Sequence, residues 1–176
     1  MKHPSHGRYH HIALGGILTA VAVVALYFGA GNLDFSAAAL AAFAVAMAGI
    51  EMGGKGAFLV YAAASVVAGI LAPVKIGAIL FACFFGHYPI FSAWLKTKKS
   101  GWVAFLIKIL YFNFFFGAII FLFAVFEFYP ILWVFFFIAP TVVFIIYDFA
   151  MERILMVYLV KIKPRIPFPG GQNNQN

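Results

Sequence analysis

The chain has 176 residues, of which 65% are hydrophobic and 10% charged, with a formal net charge of +7. An ordinary soluble domain carries roughly 25% charged residues, so this composition excludes that class and points to an integral membrane protein of one domain. The basic balance accompanies no nucleic-acid motif; the cations flank apolar runs, which makes them topology markers and contacts to the anionic lipid bilayer, with no nucleic acid as partner.

Residues 1–11 are expected to form a cytoplasmic tail. His6 and His10 have the i, i+4 spacing of a weak metal site, but Pro4 and Gly7 disfavour a helix there, so a solvated tail without a metal is the reading. A cleaved signal peptide is conceivable at this end, but the apolar run of residues 12–30 is long enough to span, no convincing cleavage site follows it, and it is read as the first membrane helix. Small residues are dense in it. Gly15, Gly16, Thr19 and Ala20 form a face that lets a neighbouring helix approach closely, either within the bundle or from another subunit.

The turn at residues 31–34 has one charge, Asp34, with Asn32 beside it and no Lys or Arg, so it is placed outside. The second span, residues 35–52, is mostly alanine and therefore thin. Residues 51–56 contain Gly53, Gly54 and Gly56, which break the helix in a tight inner turn where Glu51 and Lys55 are close enough to pair. The third span, residues 57–72, ends before Pro73.

The fourth span, residues 74–95, carries Lys75 in its first turn, against the charge rule; it either snorkels to the outer headgroups or serves a ligand or ion pair. His87 lies twelve residues on, ~18 Å deeper. Pro89 cannot donate to the carbonyl of Phe85 and should kink the helix next to it. His87 is then a hydrogen-bonded packing residue or a group for proton or ligand work. Cys83, the sole cysteine, sits mid-span as a packed thiol and forms no disulfide within the chain.

The joint at residues 96–101 holds three lysines and no acid, which places it in the cytoplasm. The fifth span, residues 102–126, has Lys108 ~10 Å from its inner end and Asn113 near mid-membrane. An amide there needs a partner and is either interhelical glue or a ligand contact. Glu127 and Tyr129 lie in the outer turn. The sixth span runs from residue 131, near Trp133, past residue 146, kinked at Pro140, with Asp148, Glu152 and Arg153 at its inner end. A surface helix to residue 161 and a flexible cytoplasmic tail, residues 162–176, complete the chain.

The expected fold is therefore all-α: a polytopic membrane protein of six transmembrane helices, residues 12–161, with both termini cytoplasmic. Its polar groups form two layers. An inner network of Glu51, Lys55, His87, Lys108, Asp148, Glu152 and Arg153 can neutralise itself. An outer set, Asn32, Asp34, Lys75, Glu127 and Tyr129, with Trp133 for stacking and Asn113 deeper, makes up a candidate mouth for a small solute. No catalytic or nucleotide-binding motif is present, so neither an enzyme nor a cofactor is expected.

Length, span number, the run Gly15-Gly16-Ile17-Leu18-Thr19-Ala20-Val21-Ala22, and the pieces Glu51-Met52-Gly53-Gly54-Lys55-Gly56, Phe84-Phe85-Gly86-His87-Tyr88-Pro89 and Lys108-Ile109-Leu110-Tyr111-Phe112-Asn113 together resemble the substrate-binding S component of an energy-coupling factor transporter in the bacterial inner membrane. The resemblance implies a vitamin-like or metal-ion solute held on the outer side and docking through span one onto a transmembrane T subunit driven by two ATPase subunits. The family's docking pattern is Ala-x-x-x-Ala; Gly16-x-x-x-Ala20 is the match here. Metal-binding members carry a His after Met1, where this chain has Lys2, so the implied solute is a small organic molecule. The alternative from a different class is a small structural or assembly membrane protein with no transported solute.

Overall fold

The computed structural model describes residues 5–98, 101–122 and 130–162, and, within these, the side chains other than those of residues 5–8, 10, 119–137 and 162. The elements are α1 (Ser5–Phe28), α2 (Asp34–Leu71), α3 (Ile76–Leu80), a π-helical turn (Phe81–Phe85), α4 (Tyr88–Lys98), α5 (Trp102–Leu122), α6 (Pro130–Val157) and a terminal π-helical turn (Tyr158–Ile162). Among the described residues there is no strand. Three helical stretches, His11–Phe28, Asp34–Leu71 and Ile76–Lys98, are long and apolar enough to cross a membrane, and Trp102–Ala118 is a shorter apolar helix.

The N-terminal expectation is corrected. Helix α1 starts at Ser5 and takes Gly7, His10 and His11 with it. Extending a helix already stabilised by a long apolar stretch adds one hydrogen bond per residue without a new nucleus, and that outweighs the cost of about 1 kcal/mol for a glycine.

The 38 residues of α2 are not one rod. Gly53 adopts φ 75° and ψ −177°, outside the helical region. A Cβ on Gly49 would stand 3.6 Å from the Cβ of Ala57, whereas eight residues of straight helix separate positions by about 12 Å. The chain therefore folds back at Gly53, the residue type for which positive φ is free of a Cβ clash. Of the three glycines expected to break the helix, Gly53 alone leaves it. At the far end, Ala72 is extended (φ −62°, ψ 129°), as a residue before proline prefers, and stops α2.

Two cores follow from two compositions. In the first, Leu18, Ala22 and Leu26 of α1 meet Ala38, Ala41, Val45 and Ala48 and, beyond the fold-back, Ala57, Val60, Ala64 and Ala68. Helical spacing puts each alanine set on one face, and the short side chains bring the backbones close. In the second, Phe84, Tyr88, Phe112, Phe144 and Met151 join the π-helical turn, α4, α5 and α6. Phe112 stacks on Phe144 with centroids 4.5 Å apart and planes at 9°. Offset and edge-to-face ring pairs add about 0.5–1.5 kcal/mol beyond their buried area.

The break near Pro89 lies where the proline predicts and is wider than a kink. The N–H of Gly86 donates to the carbonyl of Phe81, five residues back, at 2.7 Å. That leaves the carbonyl of Ala82 to accept the Tyr61 hydroxyl at 2.7 Å. A Cβ on Gly86 would stand 2.5 Å and 2.7 Å from two ring atoms of Tyr61, so the ring of α2 seats on a position only glycine can hold.

Candidate functional site

The densest polar constellation is assembled from three helices. On α4, Tyr88, Ser92 and Lys96 follow one another at i, i+4 and i+8 and so share a face. On α6, Asp148 and Glu152 are likewise one turn apart. Lys108 projects from α5 between them. Its ammonium donates to Asp148 Oδ1 at 3.0 Å, to Asp148 Oδ2 at 2.9 Å and to Glu152 Oε1 at 2.7 Å. The Tyr88 hydroxyl donates to Asp148 Oδ1 at 2.5 Å. Lys96 closes the cluster on Glu152 Oε1 at 3.0 Å.

Burial sets the stakes. Lys108 is 4% exposed and Asp148 5%, and Tyr88 is fully buried. Removing such charges from water costs several kcal/mol each, recovered only where the pairing is complete. Two lysines against two carboxylates make the cluster neutral. An ammonium has three protons and all three are directed to carboxylate oxygens. The arrangement works as a clamp on α4, α5 and α6.

The inner network expected from the sequence is thus partly assembled. Lys108, Asp148 and Glu152 come together. Glu51 accepts the hydroxyl of Tyr158 at 3.0 Å, tying the fold-back of α2 to the terminal turn after α6. Lys55 and Arg153 are exposed. His87 lies among rings, 5.7 Å from Tyr111, 5.0 Å from Phe115 and 6.0 Å from Tyr61 by centroid, with no ion pair among the described residues. Tyr88, Ser92 and Lys96 were missed. Their i+4 spacing in an apolar helix, matched by that of Asp148 and Glu152, was the available signal.

At the other end, the expected mouth residues make contacts within the chain. Asp34 Oδ1 accepts the N–H of Gly31 at 3.2 Å and the N–H of Gly77 at 3.0 Å, joining the loop before α2 to the start of α3. Lys75 Nζ donates to the carbonyls of Ile70 at 3.0 Å and Ala72 at 2.7 Å. A cation on the last carbonyls of a helix meets the negative end of its dipole; that accounts for the lysine that stands against the charge rule. Asn32 is exposed. Asn113 donates to the carbonyl of Ile109 at 2.9 Å and accepts from Thr141 at 3.2 Å, linking α5 to α6 beside Pro140. Glu127 and Tyr129 lie outside the described residues, and of Trp133 only the backbone, in α6, is described.

The small-residue face of α1 divides. Gly15 packs toward Met52 and Val60, with 3.7 Å and 3.9 Å separating their atoms from its would-be Cβ. Thr19 is half-buried and Ala20 exposed. Gly16 has no atom within 4 Å of the place of a Cβ. Among the described residues no group of three His, Cys, Asp or Glu side chains converges to hold a metal. Comparison of the chain with models of protein families, with curated proteins and with solved structures finds no match.

Proposed function

We propose that the chain crosses the bacterial inner membrane six times with both ends in the cytoplasm, and serves as the substrate-binding component of an energy-coupling factor type importer for a small, vitamin-like organic solute. The observation that carries the reading is the bare stripe of α1: Gly16 open and Ala20 exposed, on the side away from the buried Leu18, Ala22 and Leu26. Small residues left uncovered on a membrane helix are what a close helix–helix contact with a T subunit requires. The fold-back at Gly53 supports six passes, since each half of α2 is roughly 27 Å long, close to the ~30 Å hydrocarbon thickness. In that threading Lys55, Lys96 and Lys98 face the cytoplasm, as the positive-inside rule asks.

The second reading, a structural or assembly membrane protein without a solute, is favoured by one observation. Asp34, Lys75 and Asn113 are engaged by the chain itself. One experiment separates the two. The full-length protein is purified from its host in mild detergent and read by native mass spectrometry for ATPase and T subunits and for a bound small molecule. The first reading expects both with the wild type. It also expects Gly16→Leu to lose the subunits while melting as the wild type does, because nothing lies within 4 Å of the added Cβ. Wild type without subunits or small molecule refutes the importer reading and leaves the second.

A further inference from the structure

Helix α6 and the turn that ends it have two faces. Phe144, Asp148, Met151 and Tyr158 are buried. On the other side Ile138, Val142, Ile146 and Phe149 are 56%, 50%, 64% and 57% exposed. Arg153, also exposed, continues them. Steps of four, four, three and four residues put all five in one stripe. From Pro130, where α6 begins, to Phe149 the helix rises about 28 Å, close to the ~30 Å of bilayer hydrocarbon. Arg153 lies ~6 Å further on, at the depth of the headgroups. It stands at the end of the chain that holds Lys96, since Lys96 reaches its neighbour Glu152 at 3.0 Å.

The fold leaves this arginine without a counter-charge. The chain has five acids. Asp34 accepts the N–H groups of Gly31 and Gly77, and Glu51 accepts the Tyr158 hydroxyl. Asp148 and Glu152 hold Lys108, and Glu152 also holds Lys96. Glu127 lies outside the described residues. Among the described residues no acid pairs with Arg153. Composition alone says that cations of this chain meet anionic lipid; the consumption of the inner acids and the stripe of α6 say which cation is left to hold one.

We infer that this face of α6 holds one anionic phospholipid, its acyl chain along Ile138, Val142, Ile146 and Phe149 and its phosphate hydrogen-bonded by Arg153. The shape of the face selects that occupant. Ile138 to Phe149 rises about 16 Å, the height of one leaflet's hydrocarbon, and a cation stands at its foot. A soluble phosphate or an acidic protein segment answers the charge and leaves the apolar stripe bare. A guanidinium is permanently charged and its fork of N–H donors fits phosphate oxygens in pairs. Lys96 adds charge beside it, with 52% of its side chain exposed despite the bond to Glu152. The inference rests on the six-pass threading, which lays α6 across the bilayer, and does not rest on docking to a T subunit.

The test compares full-length wild type, Arg153→Gln and Lys55→Gln in nanodiscs of phosphatidylcholine, alone or mixed with phosphatidylglycerol. Lys55 is the control, an exposed cation on the fold-back of α2. In phosphatidylcholine alone both variants should melt as the wild type does, since both side chains are exposed. With phosphatidylglycerol the wild type should melt about 2–4 °C higher and carry one phosphatidylglycerol adduct in native mass spectrometry. Lys55→Gln should keep both effects and Arg153→Gln lose both. The gain should survive about 0.5 M salt, where screening leaves little beyond direct contact. A wild type with neither gain nor adduct overturns the proposal. Equal losses in the two variants overturn it in favour of a diffuse field, and a gain reproduced by inorganic phosphate in phosphatidylcholine overturns it in favour of a soluble anion. Ile146→Cys in a Cys83→Ser background separates this failure from that of the threading. Labelling of that cysteine by a water-soluble maleimide refutes the threading and the lipid site with it. An unlabelled cysteine with no phosphatidylglycerol effect refutes the lipid site alone.

Discussion

Replacing Lys108 by methionine tests the clamp most directly. The substitution keeps the length and apolar stem of the side chain and deletes its charge. Asp148, 5% exposed, is then left with the Tyr88 hydroxyl alone, whereas Glu152 keeps Lys96 at 3.0 Å. Breaking a buried pair by removing one partner costs about 3–5 kcal/mol. At ~2–4 °C per kcal/mol for a chain of this size, the melting temperature should drop by about 6–20 °C. The double variant Lys108→Met with Asp148→Leu removes both charges and leaves the Lys96–Glu152 pair balanced. It should recover most of the loss, the remainder being the orphaned Tyr88 hydroxyl at about 1–3 kcal/mol. Thermal melting of purified full-length protein in nanodiscs, completed as a double-mutant cycle with Asp148→Leu alone, measures the coupling. A Lys108→Met protein that melts within about 2 °C of wild type, or a double variant as unstable as the two single losses added together, refutes the claim that this cluster is a closed, charge-balanced clamp.

Two other substitutions probe the backbone devices. Gly86→Ala drives a Cβ into the Tyr61 ring, at 2.5 Å and 2.7 Å from its atoms; the ring must leave and with it the Tyr61–Ala82 bond, so a loss of roughly 2–4 kcal/mol is expected, read as the same melting shift. Tyr61→Ala in the Gly86→Ala background should lose little more, because the clash is gone. Lys75→Ala should cost about 0.3–1 kcal/mol, the size of a cation–helix-dipole contact, and leave retention of any co-purified solute unchanged; a lysine that instead governs retention would be a ligand residue and not the cap of α2.

What the chain declares by itself is mostly local. Apolar runs announce helices, Gly53 lies within the glycine cluster that announces a turn, and Pro73 and Pro89 announce a stop and a break, because each depends on residues within one or two turns. Which of Gly53, Gly54 and Gly56 leaves the helix was not legible, since all three tolerate either conformation and packing of Gly49 against Ala57 selects one. Lys96 reads as one of a run of loop cations, and nothing near it reveals that it reaches Glu152, 56 positions away along the chain. Tyr61 and Tyr111 look like ordinary members of apolar helices until the fold sets their rings beside His87.

Composition and charge placement determined the class, an all-helical protein with helices fit to cross a membrane, because the hydrophobic effect and the cost of an unpaired backbone act on every residue regardless of its distant neighbours. Tertiary structure decided which polar groups find partners. Lys108 meets Asp148 and Glu152, and Tyr88 meets Asp148. In a low-dielectric interior those pairings, made across tens of residues of chain, set the difference between a charge that stabilises and one that cannot be buried.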